Sequence, residues 1–287
     1  MDYKEWIAAE NEKDAFERPE LEALEAYLNE SSSLSEAVQR ITARSNTWAT
    51  SQPARVSWML LHLARNCPDV HERIIDVIKA IFMTPHPKDN DEIDWEQESG
   101  CFSLAWREMH DSESSSYSCC VTQEINRFAV TTLAFDETQN AVSDEAARHL
   151  INFHAFTAAC IAEGISLLSL GWGFFAVVQG IEKNLQVPID RAQNVRVIAA
   201  AQYFIHAAWF ILNFPPDRET HVVWERDSEL WNGKKGYSLD RWAWWKQRWE
   251  ELRQNQALSD GAREAARQSE VAMSKAERRK DKKGKKN

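Results

Sequence analysis

Residues 239–252 read LDRWAWWKQRWEEL, and the spacing within them decides the fold class. Leu239, Trp242, Trp245, Trp249 and Leu252 recur at three, three, four and three, the period of one apolar helical stripe turned toward a core. Trp244 falls off that stripe, on the side shared with Arg241 and Arg248. There an indole can stack on a guanidinium and present the composition of an interface hot spot. The same period runs outward through Leu21, Leu24 and Leu28, through Leu34, Val38, Ile41 and on to Trp48, and through Val70, Ile74, Val77, Ile78 and Ile81. Start signals agree with it. Ser33 and Glu36 have capping-box spacing, Ser51 followed by Pro53 opens the next helix, and Pro68-Asp69 divides that helix from its successor. Further helices read over 99–110, 121–136, 144–168, 172–183, 191–213, 238–256 and 259–280. With only 9 Gly and 8 Pro among 287 residues, a turn-rich β-architecture is a poor reading. The expectation is an all-α, irregular multi-helix domain of about ten helices, with no regular repeat at solenoid periods.

Three stretches interrupt the pattern and read as connections: the acidic 84–98, the hydroxyl-rich 112–118, and 214–237 with Pro215-Pro216 and Asn232-Gly233. The domain reading is an acidic N-terminal segment over 1–18, a helical domain over 19–274 with a division into two lobes near residue 114 as an option, and a basic tail over 275–287. That tail holds eight basic and two acidic side chains, so a chain of net charge −10 carries −16 elsewhere. An acidic body is a poor phosphate surface, and nucleic acid is expected only through the tail. An import signal and a plain solvated end are the other readings of the same residues. The first thirty residues are acidic and carry no apolar run of signal-peptide length, so the expected location is cytoplasmic, with the nucleus left open by the tail. Segments 164–181 and 197–216 are free of charge, and a two-span membrane hairpin is therefore a third option. Ser166, Ser169, Gln179, Gln202, His206 and Asn213, with no one-sided Lys/Arg excess, favour buried helices of a soluble core instead.

Chemistry is sparse. The five cysteines are odd in number and include no C-x-x-C pair, His149 and His154 stand five apart rather than four, and Gly171-Trp172-Gly173 lacks the third glycine of a dinucleotide fingerprint. No metal, cofactor or catalytic residue is assigned. Gln202, His206 and Asn213, with Trp209 beside them, lie on one face of the 191–213 helix and form the candidate pocket. Trp95, Trp224, Trp231, Arg241, Trp244 and Arg248 form the candidate partner surface. The leading expectation is a non-enzymatic interaction or scaffold protein with an unidentified protein partner; the alternative is a helical small-molecule binder or enzyme using the 191–213 helix.

A resemblance adds to this reading. Leu230-Trp231, Tyr237 to Trp242 with Trp245-Lys246, Leu258-Ser259-Asp260 and Met273 resemble the C-terminal end of a fungal family catalogued only as a domain of unknown function. Glu124 to Ala129 and Ala208-Trp209 resemble its middle. The resemblance spans roughly residues 60 to 275 and departs at Cys119-Cys120 and in the basic tail. It implies a soluble, intracellular, largely helical protein and supplies no activity.

Overall fold

A computed structural model describes residues 1–13, 16–43, 52–83, 99–111, 143–165, 170–215 and 228–284; among them are eleven α-helices, one 3-10 turn and no strand. The expected helix over 121–136, both loops at 84–98 and 112–118, and Trp48 lie outside the described residues. The chain divides into two units, Met1–Thr138 and Gln139–Asn287. Charge divides with them. The N-terminal unit carries 26 acidic and 12 basic side chains, the C-terminal unit 18 acidic and 22 basic.

The N-terminal unit contains α1 (Tyr3–Lys13), α2 (Arg18–Leu28), α3 (Leu34–Thr42), α4 (Gln52–Asn66), α5 (His71–Phe82) and α6 (Ser99–Asp111). Helix α1 buries Trp6, Ile7 and Glu10 and leaves most of its other side chains exposed or half-buried. Ser33 caps α3 as its spacing predicts: the Glu36 backbone N–H donates to Ser33 Oγ at 3.2 Å, and the Ser33 N–H donates to Glu36 Oε2 at 2.8 Å. Helix α2 ends with Glu30 at φ +66°. There the Ser31 N–H reaches the Ala26 carbonyl at 2.9 Å and the Glu30 N–H reaches that of Tyr27 at 3.0 Å. Arg73 of α5 covers the same helix end, donating to the carbonyls of Leu28 at 2.8 Å and Tyr27 at 2.6 Å, with its guanidinium 4.5 Å over the Tyr27 ring. Helix α4 is the most enclosed. At its start Gln52 Nε2 donates to the carbonyls of Ile41 and Ala43, and Arg55 clamps the buried Glu20 carboxylate at 3.1 and 2.7 Å. Burial nevertheless raises the Glu20 pKa, with Arg55 opposing.

The C-terminal unit contains α7 (Asp144–Ala162), α8 (Leu170–Ile181), α9 (Arg191–Leu212), α10 (Leu239–Gln254) and α11 (Asp260–Gly284). Helix α9 is its axis, packed against α7, α8 and α11. Small residues permit the approach: a Cβ on Gly180 would stand 2.5 Å from Ala200 Cβ, and one on Gly173 2.6 Å from the Tyr203 ring. Helix α7 stops at Ala162 rather than running to 168, because Gly164 takes φ +74° and closes a C-terminal motif with Ile165 N–H to Cys160 O at 3.0 Å. Of the five stripe residues on α10, Trp242, Trp245, Trp249 and Leu252 are buried, but Leu239 is 58% exposed. It is the first residue of α10, directly after the Ser238 cap.

The basic residues from 275 onward begin inside a helix. Helix α11 continues to Gly284, with Met273 and Ala276 buried. Helix α9 is long and apolar enough to cross a membrane, and 61% of its most apolar window is buried inside the protein. The other proposed span, 164–181, falls partly outside the described residues.

Candidate functional site

The polar centre of the C-terminal unit is Glu182, the first residue beyond α8, which is 0% exposed. Arg241 of α10, 1% exposed, grips its carboxylate through Nε at 2.8 Å and Nη2 at 2.5 Å, and Trp245 Nε1 donates to the same carboxylate at 2.6 Å. The Glu182 carbonyl accepts the backbone N–H groups of Glu229 and Leu230, each at 3.0 Å. Arg248 Nε donates to the Ile181 carbonyl at 3.1 Å. Two guanidinium groups thus meet the negative end of α8: Arg248 satisfies the Ile181 carbonyl, and Arg241 pairs with the carboxylate of the residue that follows. Arg241 is therefore not a surface residue as the sequence suggested. The face it shares with Arg248 meets the end of α8 instead of solvent.

Outside that centre lies a pair of indoles. Trp231 and Trp244 pack with ring centroids 5.8 Å apart, and both are half-buried. Trp231 is fixed in place: its Nε1 donates to the Lys234 carbonyl at 3.0 Å, its backbone N–H reaches Ser228 Oγ at 3.3 Å, and the Arg241 guanidinium sits 5.6 Å from its ring. Gly233 makes room for it, since a Cβ there would fall 2.2 Å from the ring. Of the other expected partner residues, Trp95 and Trp224 lie outside the described residues.

Of the residues expected on one face of α9, Gln202 and His206 lie within the helix and Asn213 caps its end, with Ala207 between them off helical geometry at φ −118°, ψ 16°; the two amides turn back on their own helix. Gln202 Nε2 donates to the Ile198 carbonyl at 3.1 Å, and Asn213 Nδ2 to that of Trp209 at 2.7 Å. The Arg279 guanidinium lies 4.4 Å over the Trp209 ring. His206 is exposed overall, yet the protein surrounding its imidazole holds its pKa below the ordinary value by desolvation.

A cleft of about 250 Å³ opens elsewhere on the unit, between the end of α8 and the start of α9, with Gln179, Lys183, Asn184, Asp190, Arg196 and Glu229 among its walls. Its carboxylates are engaged. Glu229 accepts the Asn184 N–H at 3.0 Å and Lys183 Nζ at 3.2 Å, which hold its carboxyl below the usual range. Asp190 caps α9 by accepting the Gln193 N–H at 2.7 Å. Small-molecule sites have mainly apolar walls with a few convergent polar groups, and the walls of this cleft are mainly polar, with Leu185 the one large apolar side chain among them.

Among the described residues no three His, Cys, Asp or Glu side chains gather as a metal site. Cys67 and Cys160 are buried and not joined in a disulfide, and burial pushes the Cys67 thiol up to about 12, away from thiolate chemistry. His154 is buried with Nδ1 2.9 Å from the Tyr203 hydroxyl, and His149 lies 3.9 Å from Glu145 one turn away. The residue that sequence reasoning missed is Glu182. Directly after an uncharged helix it reads as the exit into solvent, and nothing local ties it to Arg241, 59 positions later.

A family model described as a protein of unknown function (DUF3632) matches residues 58–249. No curated protein and no solved structure matches the chain.

Proposed function

The chain belongs to the DUF3632 family, and because membership assigns no activity, we propose that it is a non-enzymatic protein-interaction module whose contact surface in the C-terminal unit is built on Trp231 and Trp244. The observation that carries this is the preorganised indole pair. Trp231 is held by its Nε1 bond to Lys234, by the Gly233 turn beneath it and by Arg241, before any partner arrives. Binding through a rigid aromatic loses little side-chain entropy, and partly exposed Trp beside charged groups is the usual material of a hot spot. The use of polar groups elsewhere supports the same reading. Glu182 and Arg241 hold helices together, His154 is engaged with Tyr203, and the cleft carboxylates cap a helix or bind Lys183 and Asn184.

Quantitative affinity capture with wild type, Trp231→Ala and Trp244→Ala at matched helicity tests the proposal. Partners that depend on this surface should be depleted roughly tenfold or more by either substitution, the scale of a hot-spot residue. Recovery of the same partners at the same affinity by both variants would exclude it.

A further inference from the structure

Helix α11 presents two different faces. Inward, Ala262, Ala265, Ala266, Ser269, Met273 and Ala276 are buried, and Ser269 Oγ lies 3.4 Å from the Ala201 carbonyl of α9. The inner side is then tied down almost to the helix end. Glu277 accepts Trp242 Nε1 at 2.9 Å and Lys246 Nζ at 2.5 Å, Arg279 covers Trp209, and Lys280 Nζ reaches the Leu212 carbonyl at 3.3 Å. Outward, the first half of the helix is neutralised within itself, with Glu264 engaged by Arg267 and Gln268. Beyond it, Lys275, Arg278 and Lys282 are exposed at spacings of three and four, and they have no ion pair among the described residues. At 1.5 Å per residue the three span roughly 10 Å along one helix face.

We propose that this face of α11 binds the phosphodiester backbone of a nucleic acid. One strand of a duplex carries a phosphate every ~3.4 Å along its axis, so a face roughly 10 Å long has about three to four phosphates within its length, enough for each of the three cations to meet one. The unit that carries the helix has 22 basic and 18 acidic side chains, and the acidic excess of the whole chain belongs to the N-terminal unit. Recognition of the segment as an extended basic peptide would have to break the Glu277, Arg279 and Lys280 contacts, whereas a phosphate contact uses the helix as it stands. An acidic protein partner would be expected to meet a central aromatic anchor. Lys275, Arg278 and Lys282 supply charge alone, which is what a phosphate backbone requires. The site is separate from the Trp231 and Trp244 surface, and its test does not depend on that surface.

Fluorescence anisotropy of the full chain with a labelled mixed-sequence DNA duplex measures it. Binding should weaken about 40-fold when salt rises from about 50 to about 200 mM, the slope expected for three neutralised phosphates. The triple variant Lys275→Gln, Arg278→Gln, Lys282→Gln should lose roughly tenfold or more at about 50 mM salt with a flatter slope, and Arg278→Gln alone a smaller share. All three side chains are exposed, so far-ultraviolet dichroism should stay that of wild type. Trp231→Ala and Trp244→Ala should bind the duplex like wild type, which keeps this result distinct from the fate of the interaction surface. Absence of binding at low salt, equal binding by the triple variant, or equal competition by polyglutamate of matched charge would overturn the assignment, the last in favour of an acidic protein.

Discussion

Removing the carboxylate of Glu182 is the perturbation with the clearest expected size. In Glu182→Ala the Arg241 guanidinium, 1% exposed, keeps its charge and loses its counter-ion, and Trp245 Nε1 loses its acceptor. Breaking a buried pair from one side costs about 3–5 kcal/mol, and an orphaned buried donor adds about 1–3 kcal/mol. The two overlap in one network, so about 4–6 kcal/mol is expected in total, against about 5–15 kcal/mol for an entire domain. At a urea slope of about 2 kcal/mol/M the midpoint should fall by about 2–3 M. The double variant Glu182→Leu, Arg241→Met removes both charges and should recover most of the loss, because a buried pair replaced by apolar groups is often close to neutral. Urea titration read by amide hydrogen exchange in peptides from 239–254 isolates the C-terminal unit from the N-terminal one. A Glu182→Ala cost below about 1 kcal/mol, or a double variant whose cost is the sum of the two singles, would refute the reasoning.

Three further outcomes follow from particular contacts. Gly180→Ala places a Cβ 2.5 Å from Ala200 Cβ and 2.6 Å from the Arg196 carbonyl oxygen, so α8 and α9 must separate, and a loss of about 1–3 kcal/mol should appear in thermal unfolding. Glu30→Gly relieves a left-handed backbone that costs an L-residue about 1–2 kcal/mol, partly offset by the freedom glycine gains when unfolded; a net gain of about 0.5–1 kcal/mol should be measured in denaturant. Glu20 has a folded pKa raised by burial, so the folded state holds its proton more tightly than the unfolded one. Its contribution is therefore present below the ordinary value of 4.5 and is lost as pH rises through the folded pKa. The stability of wild type minus that of Glu20→Gln should fall as pH is raised above about 4.5, whereas a rise over that window would contradict the shift.

How far the sequence could be read depended on whether a signal was local. Helix periods, the Ser33 capping box and the indole stripe of α10 involve neighbours a few positions apart, and among the described residues each is found where its spacing put it, Leu239 excepted. Helix ends were less legible. Gly164 is a stop signal only once its backbone is known to be left-handed, so α7 read six residues too long. The side of α10 shared by Arg241, Trp244 and Arg248 was legible as a face, but what meets that face was not. The carboxylate and carbonyl that claim the two arginines come from residues 182 and 181, and no period links them to α10.

The same distinction explains why the basic C-terminal residues looked uniform in sequence and are not so in space. Eight cations in thirteen positions read as one solvated run, yet helical geometry sorts them by direction. Lys280 and Arg279 are exposed yet engaged: the Lys280 ammonium reaches a carbonyl at the end of α9, where a cation is favoured by the helix dipole, and Arg279 covers Trp209. Lys275, Arg278 and Lys282 face outward. Neutralising the engaged pair should therefore lower stability, at about 0.3–1 kcal/mol for the dipole contact of Lys280 and about 0.5–1 kcal/mol for Arg279 over the indole. Neutralising the outward three should leave stability within about 0.5 kcal/mol and change only binding. Equal stability losses from both groups would mean that the outward cations are also part of the fold, and a phosphate surface could not then be separated from it.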